Sequence, residues 1–140
     1  MSHFTSAEIF SKVWEYVRHS ELSKHIPVMY SDHYPNQSKG KFKDSEFIVM
    51  TSLANSSGSS QVATVVVNIY VPDDTPTING EEQRYPDRAR LSELTRIAYK
   101  SLKGYPVDER WFFDISDESI ISEDKIPYTF SSIKVKFKKY

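Results

Sequence analysis

Residues 61–71 read QVATVVVNIYV. Val65, Val67, Ile69 and Val71 fall on one side of an extended chain, and Thr64, Val66, Asn68 and Tyr70 on the other. Side chains alternate across a strand, so one face is almost wholly apolar and the other mixed. A strand of this kind needs cover on its greasy side only, which predicts an antiparallel sheet with helices on one face. Working back, Glu46 to Leu53 alternates in the same way: Phe47, Val49 and Thr51 against Ile48, Met50 and Ser52. The turn-rich run Asn55 to Ser60 separates the two strands, so they pair as a hairpin.

The flanking segments supply the cover. Thr5 with Glu8 three residues on makes a capping box, with Phe4 and Ile9 set to staple it. Ile9, Phe10, Val13, Trp14 and Val17 recur at helical spacing, giving a helix over 6–19, and residues 20–24 can add a short turn. Trp14 reads as core; Tyr16 and Tyr99 lie where their helix faces border solvent. A second helix runs over 88–103, capped by Asp87, with Leu91, Leu94, Ile97, Ala98 and Leu102 as its stripe. Gly104 and Pro106 stop it.

The remaining strands are shorter readings. Residues 26–30 alternate, with Pro27 marking a strand start or an edge. Residues 31–45 form a polar loop, and 72–86 a long connection in which Asn79-Gly80 turns a small excursion. Trp111 to Ile115 is a strand; 116–126 is acidic and turn-like, with Ile120 and Ile121 adding at most a brief strand. In the last strand, 128–138, Tyr128 and Phe130 have the opposite parity to Ile133, Val135 and Phe137, which predicts a bulge near Ser131-Ser132. The expected fold is α+β: a mostly antiparallel sheet of about five strands with two helices on one face, in the order α-β-β-β-α-β-β and as one domain over 1–140.

Composition narrows the function. The 140 residues carry 18 basic and 19 acidic side chains, a net charge of -1, which gives no general reason to bind nucleic acid or membrane. With no cysteine, disulfides, thiolate zinc sites and a cysteine nucleophile are excluded. No apolar run is long enough to span a bilayer and no signal peptide is visible, so a small intracellular domain is expected. Nine Tyr and eight Phe beside four Gly favour aromatic strands and an interface.

No catalytic pattern stands out. His3, His19, His25 and His33 form no HExxH pair, and Ser31-Asp32-His33 lacks a strained nucleophile turn. Asp114, Asp117, Glu118, Glu123 and Asp124 match no EF-hand spacing; a solvated acidic loop or interface patch and a hard-cation site both stay open. Lys39, Lys41 and Lys43 alternate around Gly40 and Phe42, and Lys134, Lys136, Lys138 and Lys139 form a second basic patch, either a phosphate contact or a wet side that guards a sheet edge. The acids Asp114, Asp117 and Glu118 and the lysines Lys134, Lys136 and Lys138 are the candidate interface: one subunit's acids meeting its neighbour's lysines, or else an ordinary mixed-charge surface. No cofactor is expected.

Three stretches together resemble the tail-terminator or tail-completion proteins of long-tailed bacteriophages. They are the opening helix from Glu8 to Arg18 with the strand Pro27 to Ser31, the strand pair Glu46 to Thr51 and Thr64 to Asp74, and Leu91 to Lys103 followed by Trp111 to Ile115 and Phe130 to Lys138. The resemblance spans nearly the whole chain and is one of length, element order and texture. It implies a non-enzymatic virion component that forms a hexameric ring at the end of the tail tube, joins tail to head, and assembles in the host cytoplasm. The loops at 31–45 and 72–86 would then be arms that contact a neighbour or the tube. The family has no sharp catalytic motif, so no functional residue carries over. A non-viral protein-binding adaptor and a small hydrolase or nucleic-acid-processing enzyme are the other readings.

Overall fold

A computed structural model describes residues 4–35, 45–56, 62–103, 105–106 and 111–139. In chain order the elements are α1 (Ser6–Arg18), α2 (Glu21–His25), β1 (Met29–Ser31), β2 (Phe47–Ser56), β3 (Val62–Pro72), β4 (Thr77–Ile78), β5 (Glu81–Glu82), α3 (Arg88–Leu102), β6 (Tyr105–Pro106), β7 (Trp111–Ser122) and β8 (Tyr128–Lys139). The fold is α+β. One sheet has the order β1-β2-β3-β8-β7-β6, and β4-β5 is a separate ribbon. Every pair is antiparallel except β1 with β2. The connection 32–46 has the dozen or more residues that a parallel pair needs.

Local sequence sets the helix starts. The Thr5 hydroxyl accepts from the Glu8 amide at 3.2 Å and the Glu8 carboxylate accepts from the Thr5 amide at 2.9 Å, completing the capping box. Phe4 reaches beyond a staple: its ring packs edge-on against Trp111 and Phe137, with centroids 5.0 and 5.7 Å away. Asp87 caps α3 through the Arg90 amide. Ile9, Val13 and Val17 of α1, Leu22 of α2 and Leu91, Leu94, Ala98 and Leu102 of α3 are buried on one face of the sheet. There they meet Ile48, Met50, Val65, Val67, Ile69, Ile133, Val135 and Phe137. Burying one such side chain fully contributes about 1.5–3 kcal/mol. Ile97 is only partly buried, and so are Trp14, stacked on Phe10, and Tyr16, whose hydroxyl donates to Ser101 O at 2.6 Å. Asn79 and Gly80 take φ of 53° and 79°, the pair of left-handed residues that a two-residue hairpin between β4 and β5 requires.

Several expectations change. Residues 26–28 are not strand: Ile26 closes α2, and β1 begins at Met29. No bulge interrupts β8, whose pairing with β3 is continuous from Tyr128 to Lys138. Tyr128 and Phe130 keep their opposite parity because they belong to a second core on the far face, with Phe47, Val49, Tyr70 and Ile126. The irregularities fall instead at Ser52/Ala54 in β2 and Ile115/Asp117 in β7. The stretch 116–122, expected as turn-like with at most a brief strand at Ile120 and Ile121, is strand throughout and is paired to β8 from Asp117 onward. Lys39, Lys41, Lys43, Gly104 and the 57–60 part of the serine-rich turn lie outside the described residues.

Candidate interaction surface

The β8 lysines face away from the helices. Alternation puts Ile133, Val135 and Phe137 into the helix-side core, so Lys134, Lys136 and Lys138 emerge on the opposite face. β8 lies between β3 and β7, so these lysines guard no edge. On β7, Phe112 stands opposite Lys138 and Asp114 opposite Lys136. Ser116 is then the extra residue of a bulge, which sets Asp117 opposite Lys134 and returns Glu118, opposite Ile133, to the helix side. The candidate residues therefore divide. Asp114, Asp117, Lys134 and Lys136 make a charge ladder within one chain, while Glu118 belongs to the other face. Complementary acid and lysine rows are thus register neighbours in one subunit. Opposite-charge cross-strand pairs contribute roughly 0.2–1 kcal/mol each. Among the described residues, none of the ion pairs joins these acids to these lysines. Lys136 Nζ donates across to Thr64 Oγ1 at 2.8 Å, extending the row onto β3.

On the helix side, α3 stops short of covering the outer half of β7. The gap is a groove of about 560 Å³. Arg88, Leu91, Ser92, Thr95, Arg96 and Tyr99 line one wall, and Glu118 and Ile120 the other. The helical wall repeats every three or four residues and shares Leu91 and Thr95 with the buried stripe. Thr95 sits at its base. Its hydroxyl donates to Leu91 O at 2.7 Å, so the Ser131 hydroxyl, 2.8 Å away and fully buried, is the donor in their mutual bond. Arg90, by contrast, points away and is held by both Glu46 oxygens at 2.7 and 2.8 Å and by Glu93 at 2.6 Å. The Glu46 hydrogen bond is the largest of the effects that raise its pKa.

The far face closes at one end with aromatic rings. Phe47, Tyr70 and Phe130 occupy one row of β2, β3 and β8 and stack at 4.7 and 4.6 Å. Tyr34 packs against Phe47 and Tyr70. The Tyr70 hydroxyl donates to Glu123 Oε2 at 3.4 Å. Burial, and then the Glu123 charge, push the Tyr70 and Tyr34 phenols above the ordinary tyrosine range. Arg84 Nη2 reaches Asp73 Oδ2 at 2.6 Å and the carbonyls of Glu123 and Tyr128 at 3.1 and 3.2 Å. Neither Arg84 nor the Tyr70–Glu123 contact carries a local sequence signal, because each joins segments far apart in the chain.

The remaining candidates stay apart. The Ser31 hydroxyl donates to Asp32 Oδ2 at 3.1 Å, and Ser31, Asp32 and His33 are all exposed. His19, at the C-cap of α1, lies beside Glu15, and His25 lies beside Glu21 on α2. Among the described residues no group of three or more His, Asp or Glu is gathered for a metal ion, the acids being strung along β7 and the loop after it. No helix among them is long and apolar enough to cross a membrane. In comparisons with known proteins, no family model matches this chain and no curated protein matches it.

Proposed function

We propose that this chain is a structural subunit of a phage or prophage tail, a terminator or tail-completion protein that self-associates and caps the tail tube for joining to the head. The observation that supports the reading most is the charge ladder of Asp114, Asp117, Lys134 and Lys136 on the sheet face that no helix among the described residues covers. An acidic row beside a basic row in fixed register suits repeated contact with copies of the same surface, where the charges steer association and set orientation more than they add affinity. A ring needs heterologous contacts that close, and a rigid sheet backed by helices supplies a constant angle between neighbours. Sixfold closure, the tail-tube partner and the head-connector partner come from the family resemblance. The mechanism is stoichiometric docking without turnover.

The test is light scattering with negative-stain microscopy across protein concentration, with and without a phage tail-tube protein. Ring-sized particles are expected, because assembly follows protomer concentration and partner. The double reversal Lys134→Glu, Lys136→Glu should abolish them. A monodisperse monomer in the presence of tube protein sinks the proposal. So does assembly whose extent and salt dependence are unchanged by the double reversal.

The groove beside α3 favours a second reading, a non-viral protein-binding adaptor. Genes for tape-measure or tail-tube proteins alongside would favour the tail; a metabolic or conjugation neighbourhood would favour the adaptor.

A further inference from the structure

We propose that the groove between α3 and the outer half of β7 takes an extended acidic peptide, which joins the sheet as an added strand beside β7. The first ground is the backbone. β7 pairs with β8 along one side, but on its other side β6 covers only Phe112 and Phe113. From Asp114 to Ser122 no strand among the described residues occupies that side. Past the bulge, Asp117 to Ser122 run in regular register with β8, so the outward amides and carbonyls keep the spacing an extended peptide can match. Neither Pro nor Lys occurs there, and the Ser116 bulge lies at the start of this stretch, before its regular part.

The second ground is the side chains above that edge. Ile120 is half exposed and stands in the groove across from Leu91. Arg88 and Arg96 line the same wall, and among the described residues no ion pair engages either guanidinium, in contrast to Arg84 and Arg90. They lie eight residues apart on one helix, about 12 Å. In an extended chain, residues four apart share a face and lie about 13 Å apart. The fitting ligand therefore reads acid-x-apolar-x-acid: carboxylates on Arg96 and Arg88, and an apolar side chain between them on Leu91 and Ile120. A carboxylate can accept two parallel bonds from each guanidinium.

The chemistry selects among occupants. A nucleic acid has no peptide backbone with which to pair along a strand edge. A second copy adding through its own β7 would bring its Asp117 and Glu118 into a row that already holds those acids. An acidic peptide places its charges over the arginines instead. This docking does not depend on the tail reading, which rests on the opposite face.

The experiment is fluorescence anisotropy of the full chain with a fluorescein-labelled peptide containing Glu-Thr-Val-Thr-Glu. Saturable binding is expected. Arg88→Glu and Arg96→Glu should each weaken it about tenfold, and Glu118→Gln should tighten it by removing a like charge. Methylating alternate peptide amides should abolish it, because those N–H groups pair with β7. All three side chains are exposed, so circular dichroism should be unchanged in each variant. The proposal is overturned by no saturation, by equal affinity for a peptide with its acids three apart, or by indifference to either arginine. It is equally overturned if a single-stranded oligonucleotide competes through the same arginines, or if light scattering shows a dimer that Ile120→Lys dissolves. None of these results bears on ring formation, which reads the lysine face.

Discussion

Tyr70 is the residue where the two faces of the sheet diverge most from a simple inside and outside. It sits on the mixed side of the strand that decides the fold, yet its ring is buried between Phe47 and Phe130 and its hydroxyl faces Glu123. Burial disfavours the phenolate, and the carboxylate disfavours it further. A tyrosine whose folded pKa is raised contributes stability that is complete below its unfolded pKa of about 10. That stability is lost as pH climbs from there toward the folded value. Alkaline unfolding followed by circular dichroism, with tyrosinate absorbance recorded in parallel, should therefore show stability falling above about pH 10. Tyr70→Phe should remove part of that fall. Glu123→Gln should bring the phenol down toward the usual range, and an unchanged titration would show that the carboxylate does not act on it. Side-chain environments of this kind were not legible in the sequence, because Glu123 reaches Tyr70 across 53 positions of chain. The caps were legible: Thr5 with Glu8 and Asp87 with Arg90 are each three residues apart.

Among the elements, β7 is where the pattern misleads. Its first half alternates Trp111, Phe113 and Ile115 inward, and reads as strand. Beyond it the acids and serines break the period of two, because Ser116 is an extra residue that no partner on β8 opposes. Strand identity there is conferred by pairing with β8, which a local reading cannot register. The opposite error affected β8, where a change of parity suggested a bulge. There the strand is regular, and the sheet simply carries apolar rows on both faces at that end. The bulge yields an element-level prediction. Deleting Ser116 leaves Ile115 opposite Val135 and Asp117 opposite Lys134, so the ladder should survive intact. Ser116 is exposed and its side-chain hydrogen bond to Lys134 O is long at 3.4 Å. Stability in urea should change by less than roughly 1 kcal/mol, and NMR should still show Asp117 across from Lys134. A shift that moved Asp117 opposite Ile133 would mean that the bulge, and not the pairing, sets the register.

At the scale of the whole molecule, the sheet has two unequal layers. Three helices cover one face over most of its width, and this half followed from the periodicity of 6–19, 61–71 and 88–103. The other layer is a small aromatic core at one end, with Tyr34 packed against it and Ile126 within it. It depends on segments read only as connections, and Arg84 joins them. From the 72–86 connection Arg84 holds Asp73, whose side chain is 2% exposed, and its Nη2 reaches the carbonyls of Glu123 and Tyr128. Asp73 Oδ1 in turn accepts from Thr129 Oγ1 at 2.7 Å. Removing Arg84 leaves a buried carboxylate with its charge uncompensated and frees the 123–127 segment. Arg84→Met should cost on the order of 2–3 kcal/mol in urea unfolding. Its signature should be local: amide exchange should speed up at Asp73 and Glu123, whose N–H groups bond across this junction to Pro127 O and Tyr128 O, while the Val65 and Val67 amides stay slow. Adding Asp73→Asn should recover part of the loss, since the buried charge is then gone. If protection fell equally in both layers, the aromatic end would not be a separate unit, and the sheet would unfold as one cooperative block.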